Sequence, residues 1–247
     1  MMFPKRIALV AIVSFLILAF TPVIAQEQVP DSSISQIAKE NGISTYMDQM
    51  AEQSPLYNGY EFVPYGLDIT GFPWFQYSDM QKGSVYYDGS LFRDVDMYYD
   101  LVSDQLVIKD FTKNYFLALV GEKVRYFKLG NNVFVRFNEG NEIGMEKGFY
   151  QKIYDGSSQV LSRHIKKIHY TTNAEKTVSR YRQYDSYYIV NNGRFFEVRG
   201  KSGLANAYRD KKSEVKKYIS DNKLNFSKDP AGTLAAVARY YDQLKKP

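Results

Sequence analysis

Asp94, Asp96 and Asp100 fall at even spacing, and an extended chain lines them along one strand face, with Asp104 in the turn that follows. Such a row suggests a calcium site, or the acid and base of a carboxylate-dependent glycan hydrolase. Calcium needs about six converging oxygens, whereas a straight strand spreads same-face carboxylates about 7 Å apart at each step. Tyr98 interrupts the row, and the glycine of an EF-hand loop is missing. The plainer reading is the solvated face of an antiparallel strand. Asp94, Asp96 and Asp100 therefore stand as an alternative acidic site, and no catalytic residue or metal ligand is assigned.

Two other groups suit recognition better. Arg163, Lys166, Lys167, Lys176, Arg180 and Arg182 become one basic hairpin if strands 159–169 and 177–183 pair. Arg163, Lys167, Arg180 and Arg182 are then candidates for binding lipid or glycan phosphate, or else guard a sheet edge. Phe72, Trp74 and Phe75 lie in a loop stiffened by Gly71 and Pro73. They either stack on a sugar or a partner's apolar patch, or plug one end of a barrel.

Several chemistries are missing. His164 and His169 are the only histidines, and an odd separation in a strand sends them to opposite faces, away from a shared metal. There is no cysteine, so thiol catalysis, thiolate zinc sites and disulfides are absent. No Gly-x-Ser-x-Gly elbow, phosphate-binding glycine loop or His-Glu-x-x-His occurs, and no cofactor is expected.

The elements that must carry these groups read as antiparallel β. With 22 Tyr and 16 Phe against one Trp, the composition favours pleated, half-buried surfaces. Asp88-Gly89 and Asn192-Gly193 are two-residue hairpin turns. Between the turns, alternation places Leu91, Val95, Met97 and Tyr99 on one strand face and Phe92, Asp94, Asp96 and Tyr98 on the other. Strands are expected near 84–88, 91–101, 105–110, 114–120, 124–129, 132–137, 148–155, 159–169, 177–183, 185–190 and 194–199. Without intervening helices they imply a meander closed into a barrel, a half-barrel or a sandwich.

The flanks differ. Lys5 and Arg6, an apolar run from Ile7 to Phe20, and Val23-Ile24-Ala25 before Gln26 read as a secretory signal peptide over 1–25. Its removal lowers the net charge from +5 to +3, too little for a nucleic-acid field. Residues 26–55 read as a polar tether and helical arm, and 56–200 as the β domain. Residues 201–247 read as two amphipathic helices, the first capped by Ser202 and the second opened by Asp229-Pro230. A transmembrane β-barrel is disfavoured, because several strands are short and their outward faces carry charge.

Gly83-Ser-Val-Tyr-Tyr-Asp-Gly89, Asp96-Met-Tyr-Tyr-Asp-Leu101, Phe149-Tyr-Gln-Lys-Ile-Tyr-Asp-Gly156 and Val215-Lys-Lys-Tyr-Ile-Ser-Asp-Asn222 with Tyr240-Tyr241 resemble a family of uncharacterised envelope proteins of Bacteroidetes-type bacteria. The resemblance implies a periplasmic or extracellular address and a β-rich fold, and carries over no functional residue. The expectation is an exported, non-catalytic binding or assembly module for an apolar or amphipathic ligand, with a lipid, glycan or envelope protein as partner. The alternative is a secreted glycan hydrolase.

Overall fold

Positive φ at both central residues of two turns fixes the register of the sheet. Asp88 and Gly89 (φ 46° and 85°) join β3 (Gln81–Tyr87) to β4 (Ser90–Asp100). Asn192 and Gly193 (φ 51° and 68°) join β11 (Thr177–Asn191) to β12 (Arg194–Glu197). A type I′ hairpin turn demands this conformation, and glycine adopts it without a Cβ clash.

A computed structural model describes residues 55–110, 115–138, 145–172 and 176–245. The expected signal peptide and helical arm lie outside these residues. The remaining strands are β1 (Tyr60–Glu61), β2 (Ile69–Thr70), β5 (Gln105–Lys109), β6 (Phe116–Ala118), β7 (Val124–Leu129), β8 (Asn132–Phe137), β9 (Gly148–Asp155) and β10 (Gln159–Thr172). They form one sheet in the order β1-β6-β5-β4-β3-β7-β8-β9-β10-β11-β12, antiparallel except where β2 lies parallel to β11. It is a meander with one reversal, at which β7 returns to the free edge of β3.

The sheet curls tightly. Tyr99 of β4 meets Phe127 of β7, Phe134 of β8 and Phe149 of β9 at ring-centroid distances of 5.1, 5.0 and 5.8 Å. In a flat sheet β4 and β9 would stand about 19 Å apart, four strand spacings. The curl brings both halves onto one aromatic core that also holds Phe75, Val85, Met97 and Leu106. Where the halves approach, the Lys166 amide donates to the Leu101 carbonyl at 2.8 Å. No strand ladder joins the two ends among the described residues. The expected barrel is therefore open, and the sandwich is replaced by a single curled sheet.

Two local expectations are corrected. Phe92 packs against the core and Leu91 is exposed, the reverse of simple alternation. Between the pairs Val85↔Phe92 and Gly83↔Val95, β4 has two residues where β3 has one, and Asp94 takes a φ of 54°. That bulge shifts the parity of the strand N-terminal to it. Residues 177–191 form one strand rather than two.

Three C-terminal helices replace the expected two: α1 (Lys201–Ala207), α2 (Lys212–Asp221) and α3 (Pro230–Lys245). Ser202 lies inside α1, and Gly200 holds the N-cap position. The break between α1 and α2 falls at Tyr208, which leaves helical geometry (φ −120°, ψ 50°). Its buried ring packs on Tyr241 at 4.3 Å and its hydroxyl donates to Ser158 Oγ. Tertiary burial here overrides a helical sequence pattern. The helices share a second core with Val160, Ile189 and Val198 of the sheet.

Asp242 of α3 fastens this cap. Its buried carboxylate accepts hydrogen bonds from the Ser158 amide (3.0 Å), Ser158 Oγ (2.9 Å) and Tyr154 Oη (3.0 Å). Asp242→Asn keeps the shape but turns an NH2 toward these donors. The expected loss is about 2–3 kcal/mol, measured by urea unfolding. A loss below about 0.5 kcal/mol would show that the cap is held by apolar packing alone.

Candidate functional site

The sheet separates the candidate groups by face. The loop with Phe72, Trp74 and Phe75 is bound to the sheet through its backbone. The Phe75 amide donates to the Tyr99 carbonyl, and Lys166 Nζ donates to the carbonyls of Phe72 (2.9 Å) and Trp74 (2.7 Å). Phe75 is buried against Phe134, Trp74 stacks half-buried on Tyr98 at 4.2 Å, and the Lys166 ammonium lies 4.4 Å from the half-buried Phe72 ring. Burial lowers the pKa of Lys166, partly offset by the charges of Asp100 and Asp185.

The three acids do not converge. Asp94 sits exposed at the bulge, and Asp96 pairs with Lys82 in an exposed ion pair. Asp100 is buried and accepts from Tyr65 Oη, Ser103 Oγ and the Val102 amide at 2.7, 2.6 and 2.9 Å. Four residues of strand place Asp96 about 13 Å from Asp100, beyond the separation of a glycosidase pair.

His164 and His169 do point to opposite faces. On the concave side His164 is buried in a row that sequence spacing left unread. Ser162 Oγ lies 2.8 Å from His164 Nε2, and His164 Nδ1 lies 2.6 Å from Asp185 Oδ1. The order serine, imidazole, carboxylate resembles a nucleophile with its base. Burial argues otherwise. Ser162 is fully buried, which keeps its hydroxyl from a substrate. The Gln151 amide closes the row: its Oε1 lies 2.8 Å from His164 Nε2, and its Nε2 donates to Asn132 Oδ1 at 2.7 Å. The row is a hydrogen-bonded network that ties β10 to β9 and β11.

Burial raises the Asp185 carboxyl, but hydrogen bonds from His164 and Gln183 outweigh it and leave the pKa below its ordinary value. A lowered folded-state value stabilises the fold above the unfolded carboxylate range, and that stability is lost as pH falls through the folded value. Asp185→Asn should cost about 1–2 kcal/mol at pH 5.5, where an ordinary carboxylate is ionised. The figure is kept small because the side chain is partly exposed. The gap between wild type and variant should narrow below about pH 3. Urea titrations at both pH values give the comparison, and a gap independent of pH would mean that the charge of Asp185 adds nothing to stability.

Of the six basic residues, Lys167, Arg180 and Arg182 come together on one face of the hairpin. β10 and β11 pair from Gln159↔Val190 to Thr172↔Thr177. β9 accompanies only residues 159–162 of β10, and β12 only 188–191 of β11. The remainder is an arm, flanked briefly by β2. On its convex face Lys167 lies opposite Arg182, and His169 opposite Arg180. Tyr184, on the same face, shares a 2.7 Å hydrogen bond with His169 Nε2 and lies 5.9 Å from Lys167 Nζ. Lys167, Arg180 and Arg182 are exposed, and none forms an ion pair among the described residues. Arg163 is held apart, bound to Glu146 and the Lys147 carbonyl and set 5.7 Å from the Tyr150 ring. Lys166 points to the concave face.

Comparison with known proteins finds no matching family model, no similar curated protein and no similar solved structure.

Proposed function

We propose that this protein is an exported, non-catalytic binding module that docks its β10–β11 arm on an anionic phospholipid surface. One observation carries this reading: Lys167 faces Arg182 across the strands, with Arg180 on the same face, and none of them has an acidic partner among the described residues. Like charges placed directly opposite destabilise a sheet by about 0.2–1 kcal/mol per pair. An anionic surface removes that repulsion and adds about 1 kcal/mol for each Lys or Arg near it. Tyr184 supplies an amphipathic ring suited to a headgroup layer. The leader-like segment 1–25 supports an envelope address, and the burial of Ser162 in the Ser162–His164–Asp185 row supports a role without catalysis.

The test is sedimentation of the mature chain with vesicles of phosphatidylglycerol and phosphatidylcholine, or of phosphatidylcholine alone, at 0.1 M and 0.5 M salt. Binding to the anionic vesicles only, abolished at 0.5 M salt, is expected. Equal binding to both vesicle types, or none to either, overturns the proposal. So does preferential capture by an anionic glycan over the vesicles.

A further inference from the structure

The helical cap holds a cleft that belongs to neither the arm nor the aromatic core. Its volume is about 690 Å³, within the range of small-molecule sites. Lys201 of α1, Lys212 and Lys216 of α2, and Lys223 just beyond α2 line it. All four are exposed, and none forms an ion pair among the described residues. Glu214 pairs with Lys211 and Asp210 with Lys245, away from these lysines, and exposed Asp221 at the end of α2 is not part of the lining. No carboxylate lines the cleft among the described residues.

The charge arrangement is unfavourable by itself. Lys212 and Lys216 stand four apart on one helix, where like charges repel. Asn225 adds to the donor character of the wall. Its Oδ1 already accepts from the Ser227 amide (3.0 Å) and the Lys228 amide (3.3 Å), which leaves Nδ2 to donate. Ala205, Ile219 and Leu224 supply an apolar lining. The cleft thus offers several cationic donors beside an apolar surface.

We infer that this cleft binds a single anionic amphiphile, with a phosphate monoester at the lysines and an alkyl chain along Ala205, Ile219 and Leu224. The argument is charge complementarity with a small apolar lining, and it does not rest on the arm's attraction to membranes. Tight binding of a bare anion would need no apolar lining, and a neutral lipid would leave four ammonium groups unused.

Isothermal titration calorimetry of the mature chain with octyl phosphate, inorganic phosphate and octyl glucoside, all below micelle-forming concentrations, tests this. Octyl phosphate should bind one to one, at least tenfold more tightly than inorganic phosphate, with no heat from octyl glucoside. The double variant Lys212→Gln, Lys216→Gln changes only exposed side chains and should weaken octyl phosphate at least tenfold, with an unchanged melting temperature. Replacing Lys167, Arg180 and Arg182 should leave this affinity intact, which separates the cleft from the arm. Equal affinity for octyl phosphate and inorganic phosphate overturns the amphiphile assignment, and unchanged affinity in the double variant overturns the site.

Discussion

Tyr99→Ala is expected to cost about 3–5 kcal/mol, near the upper end for a single core truncation. Tyr99 lies where the two halves of the curled sheet meet. Its buried ring touches Phe75, Phe127, Phe134 and Phe149, which belong to the plugging loop and three separate strands. These large rings support one another, so the space left by truncation closes only in part. The Tyr99 hydroxyl also donates to Asp104 Oδ1 at 2.7 Å, and the Phe149 amide donates to the same carboxylate. Tyr99→Phe separates the two contributions. It keeps the ring and removes one donor, for an expected loss of about 1–2 kcal/mol. Burial already raises the Asp104 carboxyl, against the lowering effects of Tyr99 and Arg163. A raised folded-state value means that the folded chain takes up a proton more readily than the unfolded one, so protonation of Asp104 favours the fold as pH falls. The Tyr99→Phe penalty should therefore shrink below about pH 4. Urea unfolding of both variants is the measurement, and a cost under about 1 kcal/mol for Tyr99→Ala would mean that the curl does not depend on this cluster.

The hairpin turns were legible because positive φ restricts the residue types that can stand there, as at Asp88-Gly89 and Asn192-Gly193. The faces of Met97 and Tyr99 followed from alternation. The bulge at Asp94 did not, since one extra residue reverses parity without changing composition. Nor did the open end of the sheet, because its curl depends on rings such as Tyr99 and Phe149 that are fifty residues apart in sequence. The helix break at Tyr208 was hidden for a related reason, since the contacts that cause it come from Ser158 and Tyr241. Among the site residues, Lys167, Arg180 and Arg182 could be grouped from pairing and parity alone. Arg163 shares that parity and still leaves the group, because Glu146 and Tyr150 hold it. The Ser162–His164–Asp185 row is not legible in the sequence, because it depends on 177–191 running as one strand that sets Asp185 opposite His164. The lysine cleft depends on how α1 and α2 meet, which helical periodicity does not report.

The triple variant Lys167→Gln, Arg180→Gln, Arg182→Gln should lower affinity for anionic vesicles by about a hundredfold, from about 1 kcal/mol per removed charge. Folding stability should move the other way. Removing the like-charge pair Lys167↔Arg182 should raise it by a few tenths to about 1 kcal/mol. Opposite signs in the two measurements distinguish a binding face from a solvated one, for which neither vesicle affinity nor its salt dependence would change. Lys167→Glu sharpens the contrast. It places a carboxylate opposite Arg182 and should further stabilise the hairpin while weakening vesicle binding. Arg163→Gln is the control on the same strand face. It breaks the ties to Glu146 and the Lys147 carbonyl, so it should reduce stability and leave vesicle affinity within about twofold. If the triple variant binds anionic vesicles as tightly as the wild type, the unpaired charges on this arm serve solubility, and the docking surface must be sought elsewhere.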